Sequence, residues 1–224
     1  MVLIDQLTPD AVDRYADTLT AVAAALVVGD VEGARSAIQP MAGERWIGLV
    51  GTARTTAETV PGAKPRRMPE GVRAEVLIRD RFQCSRCGGR GLARPVLVAV
   101  SDVFPNELAY HRNYGRGRVH PAYWALVLEA DHTAPHSRGG SAEASNLTAM
   151  HALCNTAKAD ADVHELAVLN RLDEWPDWDG LLSAYPAIVG VGAELGYRHS
   201  AIEYHPKWMR LLGVPANDPK GADA

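Results

Sequence analysis

The 224-residue chain has three cysteines, and all three fall in ligand-spaced pairs. Cys84 and Cys87 form a Cys-x-x-Cys pair, and Cys154 stands three residues after His151. Two such pairs supply the Cys3His set of a closed tetrahedral zinc site. Four protein ligands leave no open position, so the expected Zn2+ role is structural. It would tie the knuckle at 84–87 to a helix starting near residue 146, with His151 and Cys154 on one helical face, one turn apart. The competing reading is three buried cysteines beside a surface histidine. An odd cysteine count confined to these pairs does not suit a disulfide framework, which points to a cytoplasmic setting. No apolar run reaches the roughly 18 residues of a membrane span, so no membrane role is expected.

Charge is distributed unevenly. Residues 1–63 carry 4 Lys/Arg against 8 Asp/Glu, residues 64–160 carry 14 against 9, and residues 161–224 carry 5 against 10. A basic middle between acidic ends implies an anionic partner for the middle. Thr8-Pro9-Asp10 reads as a helix start, followed by apolar residues at helical spacing to Val28. A shorter helix is expected over 31–38, giving a helical region over 1–60. The segment 61–70, with Pro61, Pro65 and Pro69, reads as a linker. A helix is expected over 70–82 and β-like runs over Val96–Val100 and Trp124–Ala130. Helical spacing continues from Asn146 to Asp160 and again in a C-terminal region, 166–214, before a loose tail at 215–224.

Between the two halves of the zinc pattern lies a second group: Asp131, His132, Asn146 and Asn155. A carboxylate and an amide oxygen suit Mg2+ or Mn2+, and a neutral imidazole takes a proton from water near pH 7. These are the parts of a one-metal phosphodiester hydrolase.

The stretch LEADHTAPHSRGGSAEASNLTAMHALCNTAKAD, residues 128–160, resembles the HNH endonuclease signature. The likeness lies in the Asp-His pair, the proline, the Gly-Gly turn, the middle Asn, and a Cys-Asn followed by Lys. The resemblance implies an α+β protein with a ββα-metal core, a structural zinc site, and flanking N- and C-terminal helices. Its nuclease domain would span 71–165, with an insertion at 101–123. By position, Asp131 resembles the first ligand of the catalytic metal and Asn155 the second. His132 resembles the general base, and Asn146 the residue that holds the loop and orients the histidine. Cys84, Cys87, His151 and Cys154 match a zinc knuckle in which His151 replaces the more usual cysteine.

The implied substrate is DNA. In YHRNYGRGRVHPAYW, residues 110–124, Arg112, Arg116 and Arg118 alternate with tyrosines and glycines, a pattern suited to phosphate contact. Arg138 and Lys158 are expected near phosphates as well, with Arg86 and Arg90. The remaining histidines and Trp175, Trp178 and Trp208 read as loop or packing residues. A zinc-stabilised nucleic-acid-binding module, and a nuclease subunit active only in a larger assembly, are the competing functions. A homodimer or a larger defence complex fits a site that cuts one strand, and restriction or phage defence is the expected setting.

Overall fold

The computed structural model describes residues 1–49, 68–135, 139–158 and 175–215. The linker at 61–67, the apolar-spaced segment around Leu166–Leu172, most of the tail, and Arg138 with its neighbour His136 lie outside the described residues.

The N-terminal part opens with strand β1 (Val2–Ile4), then helices α1 (Pro9–Val27) and α2 (Val31–Ile38), then strand β2 (Glu44–Trp46). The start of α1 follows from its sequence: Thr8 Oγ1 accepts from Ala11 N at 3.3 Å and Pro9 takes the first helical position. One stripe of α1, including Tyr15, Leu19, Val22 and Leu26, is fully buried. Asp30 caps α2 by accepting from Gly33 N at 2.8 Å. The two strands pair in parallel, Val2 opposite Glu44 and Ile4 opposite Trp46. They correct the expectation of an all-helical start. Three residues are too few to show a period of two, so the sequence carries no trace of them.

Helix α3 (Glu70–Arg79) is followed by the cysteine knuckle and helix α4 (Arg94–Val103). The β-like run Val96–Val100 therefore lies inside a helix, which is a second correction. Pro95 sits in its first turn, and eight of its ten residues are buried. A helix buried all round loses its polar face, and a short valine-rich run then looks like a strand. The second β-like run is divided between helix α5 (Ala122–Leu126) and strand β3 (Leu128–His132). Strand β4 (Leu147–His151) pairs antiparallel with β3, Leu128 opposite His151 and His132 opposite Leu147, and helix α6 (Ala152–Lys158) follows directly. The expected helix from Asn146 thus begins as a strand.

Helices α7 (Tyr185–Glu194) and α8 (Tyr204–Leu211) close the described chain. His205 joins α8 to the rest: Tyr185 Oη donates to its Nδ1 at 2.7 Å, and its Nε2 donates to Asp102 at the end of α4 at 2.9 Å. Trp178 donates its indole N–H to Gly91 O at 2.9 Å, and the Arg90 guanidinium lies 4.0 Å over the Trp175 ring. These tryptophans are packing anchors. One contiguous apolar core runs from Tyr15 in α1 through α4, α5 and the β3–β4 pair to Leu212. Among the described residues no helix is long and apolar enough to cross a membrane.

His120 lies at the centre of the contact between the N-terminal part and the 104–121 loop. It is fully buried, its Nε2 donates to Met41 O at 2.8 Å, and its Nδ1 accepts from Ala122 N at 3.1 Å. The bond from Ala122 N needs the neutral ring, whereas the bond to Met41 O is made by either form. Burial holds its pKa down to about 3, against the opposing pull of the Met41 carbonyl. The unfolded chain therefore binds the proton first, near pH 6.5. Stability is complete above that pH and falls as the pH drops from about 6.5 towards 3, by up to about 1.4 kcal/mol per unit. The expected result is a urea midpoint lower at pH 5 than at pH 7, with a shallower dependence in His120→Gln. An equal pH dependence in that variant would remove His120 as the source.

Candidate metal centre and nuclease site

The knuckle is built by backbone geometry. Cys84 N donates to Gly89 O at 2.9 Å, and Gly88, at φ +69°, turns back so that its N–H donates to Cys84 O at 2.7 Å. Ser85 N donates to Ala149 O at 2.9 Å, which fastens the knuckle to β4. His151 is the last residue of β4, and Cys154 lies in the first turn of α6. The expectation of one shared helical face is thereby corrected: a strand-to-helix junction presents the pair. The ligand atoms of Cys84, Cys87, His151 and Cys154 all lie within 4.8 Å of one another.

The four donors fit a zinc ion. His151 Nε2 donates to Arg90 O at 3.0 Å, which fixes the tautomer and leaves Nδ1 as the free lone pair, 3.4 Å from Cys87 Sγ. Burial opposes ionisation of Cys84, but hydrogen bonds from Cys154, Cys87 and the His151 backbone N–H outweigh it and hold its thiol low. Cys154 is pushed up, chiefly because its proton is donated to Cys84 and Cys87. Sulfur and nitrogen donors gathered this closely are the set a soft or borderline cation takes.

The second group is assembled by the same pair of strands. Alternation along β3 buries Leu128 and Ala130 on one face and puts Glu129 and Asp131 on the other. Asp131 and His132 are both half-buried at the strand's end. The loop from β3 to β4 is held by Asn146. Its Oδ1 accepts from Ala134 N at 3.0 Å, and its Nδ2 donates to Ala134 O at 3.1 Å and Ser141 O at 2.9 Å. Gly140 is required where it stands, since a Cβ there would lie 1.9 Å from Ala134 O. Asn155 faces a cleft of about 260 Å³ shared with Arg112, Arg94, Tyr114, Glu129 and Thr156. The structure thus brings Arg112 from the 104–121 loop to the same cleft as Asn155 from α6.

Lys158 differs from its expected place near phosphates. Its side chain is 1% exposed, and its ammonium lies 2.7 Å from Asp131 Oδ2 and donates to His132 O at 3.0 Å. Arg90 differs too: it is buried and pairs with Asp17 at 2.7 Å. Arg86 donates to Cys154 O at 2.8 Å and so supports the cysteine cluster. Arg112, Arg116 and Arg118 are exposed, with Arg116 donating to Ile47 O at 2.5 Å. Their interleaved tyrosines turn inward: Tyr110 packs on Tyr123 and Tyr114 on Trp124, with ring centroids 5.1 and 5.2 Å apart.

Several site residues have no sequence signature. Arg79 donates to Ala144 O and Leu147 O, both at 2.6 Å. Asp80 accepts from Ala149 N at 2.7 Å. The C-terminal end of α3 therefore clamps β4. Glu129 is neutralised by Arg94 and by Arg73 at 3.5 Å.

A divalent cation beside Asp131 is consistent with this chemistry. The carboxylate already holds one cation, the Lys158 ammonium, on a single oxygen. A carboxylate oxygen is a hard donor of the kind Mg2+ takes, as is the amide oxygen of Asn155, which lines the cleft with Glu129 and Arg112.

Residues 124–161 match the family model described as HNH endonuclease. The match takes in β3, the Asn146-held loop, β4 and α6. HNH family members are typically nucleases that use divalent metals, and the match suggests a nuclease or nucleic-acid-binding role for this segment. No curated protein and no solved structure matches the chain.

Proposed function

We propose that this protein is a metal-dependent DNA endonuclease of the HNH type, with a ββα-metal core stabilised by structural zinc at Cys84, Cys87, His151 and Cys154. The reading is supported by Asp131-His132 at the end of β3, by Asn146 pinning the residues that follow, and by Lys158 of the helix that bears Asn155 reaching Asp131. Asp131 and Asn155 would hold Mg2+ or Mn2+, which supplies charge neutralisation at the scissile phosphate and leaving oxygen. His132 takes a proton from the attacking water as its oxygen bonds to phosphorus, and the P–O3′ bond breaks. Asn146 keeps the His132 loop in one conformation, so the imidazole is in place before substrate arrives. Arg112, Arg116 and Arg118 line the approach as phosphate contacts, with Arg138 the fourth candidate. Restriction or phage defence in the cytoplasm, as a homodimer or within a larger complex, is the setting we propose.

The test is plasmid cleavage by the purified, zinc-loaded chain. Nicked or linear product is expected with Mg2+ or Mn2+ and none with EDTA. Metal-independent cutting would overturn the mechanism. No cutting in any metal, with DNA still bound, would favour a zinc-stabilised binding module.

A further inference from the structure

Lys158 is buried, and a buried lysine needs a partner. It has two, Asp131 and the carbonyl of His132, at 2.7 and 3.0 Å. These are adjacent residues at the end of β3, and Lys158 is the last residue of α6, one turn beyond Asn155. A single ammonium therefore fastens the end of the helix to the two residues assigned above to metal binding and proton transfer.

We propose that Lys158 is a positioning residue that also sets the metal affinity. It fixes the Asp131–His132 backbone, and by sitting on the Asp131 carboxylate it holds the free protein's affinity for divalent cations low. The inference rests on the reading that Asp131 is a metal ligand. The physical reason is competition for one negative charge. A carboxylate that holds an ammonium is already largely neutralised, and an incoming Mn2+ must sit within a few ångströms of a like charge. With the lysine 1% exposed, water and salt screen that repulsion weakly. A merely structural lysine would do the opposite: its loss would loosen Asp131 and weaken metal binding or leave it unchanged.

The experiment measures Mn2+ binding to the zinc-loaded full chain without DNA, from the EPR signal of free Mn2+. Wild type is compared with Lys158→Met, with Lys158→Gln, which keeps a hydrogen-bond donor without the charge, and with each of these combined with Asp131→Asn. Circular dichroism and zinc content report the fold. The expected result is binding about tenfold tighter or more in Lys158→Met or Lys158→Gln, lost when Asp131→Asn is added. Unchanged or weaker binding in a folded Lys158 variant, with residual Mn2+ still removed by Asp131→Asn, overturns the proposal and leaves Asp131 as a ligand. Mn2+ binding indifferent to Asp131→Asn in every background overturns both. Should neither Lys158 variant fold, micromolar Mn2+ binding at Asp131 in wild type would still overturn the proposal.

Discussion

His132→Ala abolishes DNA cleavage, lowering the rate by about a thousandfold or more, while fold and DNA affinity stay near wild type. A positioned general base contributes roughly 10²–10⁴ in rate, and His132 is the imidazole that follows Asp131 at the end of β3. The fold survives because the rest of the strand holds it in place. Leu128 and Ala130 bury β3, and the five-residue register with β4 is a backbone property. The Lys158 contact is made to the His132 carbonyl, which alanine keeps. Single-turnover cleavage on a plasmid and fluorescence anisotropy on a duplex in EDTA separate the two effects. Cleavage at the wild-type rate would dismiss His132 as the base. A lost rate accompanied by lost thermal stability would make it a structural residue instead.

Some of this geometry was legible in the sequence, and the reasons differ by element. Helix α1 was readable because its cap, proline and apolar stripe are local signals that agree. The cysteine cluster was readable because ligand spacing survives whatever secondary structure carries it: His151 and Cys154 meet the other pair although a strand-to-helix junction, not a helix, presents them. Helix α4 was misread because burial on all sides erases the period that distinguishes helix from strand. Lys158 differs from its expected place for a related reason. A lysine at the family's position after the Cys-Asn pair resembles a phosphate contact, and only the packing of α6 against the end of β3 turns it inward onto Asp131. The clamp of Arg79 and Asp80 on β4 joins residues 65 to 69 positions apart, and no local pattern announces a contact of that range. Where chemistry fixes the spacing, sequence carries the site. Where tertiary burial decides which way a charge faces, it does not.

Cys84→Ser, by contrast with the histidine change, strongly destabilises the core. Cys84 is 1% exposed, its Sγ accepts from His151 N at 3.4 Å, and two other thiols and an imidazole converge on it. The cluster joins the knuckle, the end of β4 and the start of α6, three segments that the β3–β4 pair and the nuclease site depend on. Binding of zinc by such sets is folding free energy, of the order of 10 kcal/mol in small peptides, against a total stability of about 5–15 kcal/mol for a whole domain. Serine leaves a buried hydroxyl where a thiolate ligand is needed, so a loss of about 5 kcal/mol is a modest expectation. At about 2–4 °C per kcal/mol for a chain of this size, the thermal midpoint should fall by about 10–20 °C, and a strong zinc chelator should lower wild type by a similar amount. Differential scanning fluorimetry with zinc content by mass spectrometry provides the check. A wild-type protein purified without zinc, or a Cys84→Ser variant melting within a few degrees of wild type, would show that the three thiols and His151 pack without a metal. The two substitutions thus make opposite demands of the same assays: the histidine change keeps the melting temperature and loses cutting, whereas the cysteine change loses both.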